Sequence, residues 1–115
     1  MNALSTNSSN DNVIFLLQSL DGVYVTRHSE YTIRGGKCVQ VRDLKTRQVK
    51  PTHDALNKQL DALARPHTSG MSFLRDNPAV GDCLVFDIYP EHGGGSITTS
   101  GIRGFMPLPE VTTAN

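Results

Sequence analysis

The sequence predicts a mainly β domain bordering on α+β: a small β-barrel or β-roll of about six or seven strands with one amphipathic α-helix near residues 53–65. Three observations carry this. Between the two ends of the chain the apolar residues recur mostly with period two, as on a pleated strand. Turn-forming Gly, Pro, Asn and Asp clusters punctuate that pattern about every 8–12 residues. One segment alone, residues 53–65, switches to a helical period.

Residues 1–12 are rich in Asn and Ser and bury almost nothing, so they read as a disordered tail, and so do residues 111–115. Residues 13–110 form a single β-rich domain, as a length of 115 residues suits. The apolar run Val13-Ile-Phe-Leu-Leu17 reads as a first strand, a short buried helix being the alternative, with Asp21-Gly22 as a hairpin turn after it. Val23, Val25, Tyr31 and Ile33 share one parity, and Arg27 and Ser29 interrupt it, so a bend falls near His28 to Glu30. Gly35-Gly36 reverses the chain. A two-residue loop there would oppose Ile33 with Cys38. A three-residue loop including Lys37 would oppose Ile33 with Val39 and Tyr31 with Val41, gathering four apolar residues on one face, and is the favoured register. A second hairpin turns through Leu44-Lys45-Thr46.

Pro51 ends that hairpin and Thr52 can cap a helix. Leu56, Leu60 and Leu63 make an i, i+4, i+7 stripe. Asp54, Lys58, Asp61 and Arg65 alternate in sign along another line, and Pro66 stops the helix. Residues 67–76 read as a loop that Met71, Phe73 and Leu74 pin to the core, and residues 77–82 as a compact turn. Leu84, Phe86 and Ile88 alternate along a strand, residues 90–95 form a Gly-rich connection, and the final strand is broken by Gly101 and Gly104, which mark a sharp bend or a close backbone approach. The expected core is Ile14, Leu16, Val23, Val25, Tyr31, Ile33, Val39, Val41, Leu56, Leu60, Leu63, Phe73, Leu84, Phe86, Ile88 and Ile102.

Composition narrows the function. Eleven Lys and Arg balance eleven Asp and Glu, which argues against a surface built throughout for nucleic acid. No apolar run approaches the roughly 20 residues of a bilayer span, and the N-terminus lacks a basic leader, so a cytoplasmic protein with no membrane partner is expected. Cys38 and Cys83 lie far apart without a C-x-x-C pattern and read as reduced, small hydrophobes, an interstrand bridge being the alternative. His28, His53, His67 and His92 are scattered, so neither metal nor cofactor is expected.

The charge is even in total and uneven in position. Residues 27–50 carry seven basic side chains against Glu30 and Asp43, whereas residues 66–115 carry two against five acidic ones. The candidate binding residues are therefore Arg27, Arg34, Lys37, Arg42, Lys45 and Arg47, with Tyr24 available for stacking. Used on phosphates, they would make a binder of single-stranded nucleic acid or of a nucleotide ligand. Charged residues also blunt exposed strand edges. No catalytic set converges in the sequence, the nearest being His92 with Glu91 or Asp87, so no catalytic residue is assigned. The favoured reading is a non-catalytic interaction module that self-associates through an exposed strand edge, with a protein partner preferred to nucleic acid.

Overall fold

The computed structural model describes residues 20–88 and 95–108. The readings for residues 1–12, for the first strand at Val13 to Leu17, for most of the 90–95 connection and for the C-terminal tail lie outside the described residues. Among the described residues eight strands follow one another: β1 (Gly22–Val25), β2 (Ser29–Arg34), β3 (Lys37–Asp43), β4 (Leu60–His67), β5 (Gly70–Leu74), β6 (Cys83–Phe86), β7 (Ile97–Gly101) and β8 (Gly104–Pro107). They form two four-stranded sheets, ordered β3-β2-β1-β8 and β5-β4-β6-β7, with every pairing antiparallel. The β class is as predicted, but the sheets do not close into a barrel.

Tyr24, Tyr31, Ile33 and Val41 of the first sheet meet Leu60, Leu63, Leu84 and Phe86 of the second in one buried cluster. The Tyr31 and Phe86 rings lie 6.2 Å apart between centroids. Each fully buried leucine here contributes roughly 1.5–3 kcal/mol over its exposed state.

The predicted helix is absent: no helix occurs among the described residues, and residues 60–65 belong to β4, which pairs with β6 from Leu60 to Ala64 and with β5 from Leu63 onward. Asn57 adopts φ 68°, outside the helical region, so a helix through it is broken at once. The helical spacing has another origin. A register shift between Leu60 and Ala62 inserts an extra residue, so Leu60 and Leu63 face the same core three positions apart. Leu56 packs against that core from the preceding turn. The charges expected to pair along a helix find distant partners instead: Lys58 with Asp87, Asp61 with the Ile88 N–H, and Arg65 with Asp82.

The first sheet holds a related surprise. The turn is the two-residue Gly35-Gly36 loop, both glycines at positive φ, with Arg34 opposite Lys37 and Ile33 opposite Cys38. The favoured three-residue loop is therefore corrected. A bulge then absorbs Val39, Gln40 opposes Thr32, and Val41 returns opposite Tyr31. Val39 is left 49% exposed while Cys38 is buried. The hydrophobic pattern is satisfied by a bulge rather than by a longer turn.

In β1 the inward residue is Tyr24, flanked by Tyr31 and Phe105, and Val23 and Val25 are only half-buried. The aromatic ring brings more apolar area inside than either valine, and its buried hydroxyl donates to the Leu20 carbonyl. Gly22 begins this strand rather than turning a hairpin. The bend expected near His28 is a full reversal at Arg27-His28, closed by the Thr26 N–H donating to the Ser29 carbonyl at 2.8 Å. The second hairpin survives in reduced form, as a turn with an isolated bridge between Arg42 and Val49. Residues expected as a loop form β5 instead, with Phe73 exposed rather than in the core, and Ile88 lies half-buried beyond β6.

The bend predicted at Gly101 and Gly104 is present: Ile102 and Arg103 carry the chain from one sheet to the other. A Cβ on Gly101 would stand 3.1 Å from the Gly81 carbonyl oxygen, so this corner is also a close backbone approach.

Candidate functional site

The basic residues proposed from sequence do not gather on one surface. Arg34 and Lys37 sit at the Gly35-Gly36 turn, whereas Arg27, Lys45 and Arg47 lie by the turns at the opposite end of the same hairpin. Arg42 and Arg47 both approach Glu30, each at 3.8 Å, and Lys50 donates to the Ser29 hydroxyl at 2.8 Å. Glu30 thus answers two of the seven basic side chains, and Lys50 is held by a neutral hydroxyl. Tyr24 is fully buried, which removes it as a stacking platform.

Ser72 Oγ lies 3.0 Å from His67 Nε2, a contact hidden from sequence reasoning because residues 67–76 carry a loop's local signals and the strand pairing of β5 with β4 brings the two together. His67 Nδ1 accepts the Ser69 N–H at 3.2 Å, so the neutral ring carries its proton on Nε2 and donates to Ser72. A ring in that tautomer cannot take the serine proton, and the pair is a clasp across the β4–β5 turn. His92 and Glu91, the sequence's nearest catalytic pair, lie outside the described residues. Asp87 is engaged by Lys58 Nζ at 3.5 Å and by the Gln59 N–H at 3.4 Å. Among the described residues, no three His, Cys, Asp or Glu side chains converge as a metal would require.

Cys38 and Cys83 are both free thiols, so the bridge alternative does not apply. Burial pushes the Cys38 thiol up to about 11 and raises that of Cys83 as well. Both are thereby weaker nucleophiles at neutral pH than an ordinary thiol, the buried Cys38 more so than Cys83.

A cleft of about 310 Å³ is lined by Leu20, Asp21, Gly35, Gly36, Gln59, Leu60, Asp61 and Arg75. Its carboxylates already serve the fold. Asp21 accepts the Gly35 and Gly36 N–H groups at 2.7 and 2.9 Å, fixing the turn, and Asp61 accepts the Ile88 N–H at 2.8 Å.

The strand edges differ sharply. Along β3 the outer edge is covered: Cys38 N–H donates to the Lys58 carbonyl, Asn57 N–H to the Cys38 carbonyl and Lys50 N–H to the Val41 carbonyl. The edge strand β7 is hydroxyl-rich, with Thr98, Thr99 and Ser100, and β8 ends in Pro107. Like β7, β5 (Gly-Met-Ser-Phe-Leu) carries neither a charge nor a proline, but it bears large apolar side chains in place of hydroxyls, and among the described residues its one neighbour is β4. Edge strands are ordinarily protected by such devices. Met71 is 50% exposed and Phe73 61% exposed. Both point to the face of the sheet away from the shared core, since they oppose Pro66 and Ala64, whereas Leu74 opposes the core residue Leu63. Ala62, Ala64 and Val85 continue the same face inward and are buried. Among the described residues the chain therefore presents an apolar strip ending in an uncharged edge strand.

No family model matches the chain, and no curated protein and no solved structure matches it significantly.

Proposed function

We propose that this chain is a non-catalytic interaction module that self-associates through the edge of β5. The observation that carries the reading is the pairing of exposed Met71 and Phe73 with an edge strand lacking both charge and proline. An unpaired row of backbone N–H and C=O groups recruits another strand, and the two large side chains gain by leaving water together. The basic hairpins give the nucleic-acid alternative less support, because Glu30 answers two of their arginines.

Light scattering on a sizing column, run across protein concentration at low and high salt, tests the reading. The mass should rise from one 12.5 kDa chain toward two as concentration increases. Because the contact is apolar and backbone-borne, salt should change it little. A five-residue edge with two anchors falls below the roughly 1,200–2,000 Å² of a stable interface, so a weak dimer is expected, with a dissociation constant on the order of 10–100 μM. Phe73→Lys should keep the chain monomeric. A wild-type chain that stays monomeric at every concentration would refute the proposal.

A further inference from the structure

We infer that the occupant of the β5 edge is the β5 of a second copy, antiparallel about a two-fold axis through Ser72, so that Met71 of each copy lies opposite Phe73 of the other. The inference rests on the self-association proposed above and adds its register. A two-fold perpendicular to a sheet preserves which face a side chain occupies. Opposed residues must then share parity, because side chains alternate along a strand. The registers consistent with this are centred on a residue, and within the apolar part of β5 that means Met71, Ser72 or Phe73.

Centring on Met71 sets Phe73 against Ser69 of the other copy, and centring on Phe73 sets Met71 against Arg75. Either leaves a large apolar side chain beside a polar one. Centring on Ser72 sets Met71 against Phe73 twice and Gly70 against Leu74. A thioether against an aromatic ring is a favourable contact, and cross-strand neighbours lie close enough to make it. The strip built by Ala64 and Pro66 on each β4 then runs unbroken across the axis. The flanking charges agree with this register. Arg75 faces Ser69 and Asp76 faces Thr68, so no like charges oppose, and a chain with a net charge of zero meets its copy without long-range repulsion. The product is one eight-stranded antiparallel sheet, ordered β7-β6-β4-β5-β5-β4-β6-β7.

Cysteine cross-linking reads the register directly. In a Cys83→Ser background, Ser72→Cys brings two thiols together at the axis, where opposed Cβ atoms about 4.5–5.5 Å apart need only a small approach to form a disulfide. Mild oxidation should give a covalent dimer on a non-reducing gel, several-fold more of it than Ser100→Cys on the β7 edge gives. Mixed Ser69→Cys and Arg75→Cys chains should cross-link to each other in preference to themselves, and this pair leaves β5 intact should Ser72→Cys fold poorly. The unoxidised samples are measured by light scattering in parallel. A dimeric mass with neither cross-link overturns this register and leaves the self-association reading standing. A monomeric mass overturns both.

Discussion

Arg65 lays its guanidinium along the Asp82 carboxylate, Nε 2.8 Å from Oδ1 and Nη2 2.9 Å from Oδ2, and so ties the central strand β4 to the turn that launches β6. Asp82 is only 1% exposed and also accepts the Ala79 N–H at 2.9 Å, while Arg65 Nη2 donates to the Asn77 carbonyl at 3.1 Å. The hydrogen bonds from Arg65 hold the Asp82 carboxyl below its ordinary range.

Because folding depresses this carboxyl's pKa, the folded state binds fewer protons there, and the pair contributes stability above the ordinary carboxylate value of about 3.9. That contribution is lost as pH falls through the lower, folded-state value. Asp82→Asn should reduce stability at pH 7 by about 1.5–3 kcal/mol, the range for hydrogen bonds to a charged group. The same variant should flatten the acid limb of the profile. Urea unfolding at pH 7 and near pH 3 checks both.

Asn57 separates the observed strand from the helix that the leucine spacing suggests. In a helix, Asn57→Ala would stabilise the chain by a few tenths of a kcal/mol through propensity. At the observed φ of 68° it should instead destabilise, by about 1–2 kcal/mol, while Asn57→Gly is neutral or better. Thermal melts of the two variants give opposite signs for the two folds.

Gly22 leaves no room for a side chain. A Cβ there would stand 2.5 Å from Phe105 Cε1 and 2.7 Å from the Met106 carbonyl oxygen, and the Phe105 ring is itself held against Tyr24 with centroids 4.6 Å apart. Gly22→Ala should cost about 1–3 kcal/mol by overpacking. A melting temperature equal to wild type would show that β8 does not lie on β1 as described.

The two thiols should react in a fixed order. Cys83 is partly exposed and Cys38 is fully buried with its thiol pushed up to about 11. Iodoacetamide at neutral pH should label Cys83 slowly and Cys38 only on unfolding, as intact-mass spectra with and without denaturant would record. Early labelling of Cys38 would contradict the bulge that buries it.

Leu63→Ala should cost about 2–5 kcal/mol, as truncation of a fully buried leucine does. Denaturant unfolding measures it, and a change below about 0.5 kcal/mol, the surface range, would remove β4 from the core.

Amino-acid order alone determined the β class, the reversal at Gly35-Gly36, the corner at Gly101 and Gly104 and the compact turn before β6, because each rests on local backbone preference. It also marked Tyr31, Ile33, Val41, Leu60, Leu63, Leu84, Phe86 and Ile102 as core, all of which are buried. The tertiary structure decided what those preferences leave open. Two register shifts put residues three apart on one face, Cys38 with Val41 and Leu60 with Leu63, and that spacing is indistinguishable from a helical one until a partner strand is present. Tyr24 faces inward because Tyr31 and Phe105 flank it, not because its own neighbours alternate. The place of β5 at the edge of the described sheet is illegible in the sequence for the same reason. Whether Phe73 covers the core or borders solvent depends on which strands stand beside it, and strand order is set by packing between distant segments rather than by any local signal.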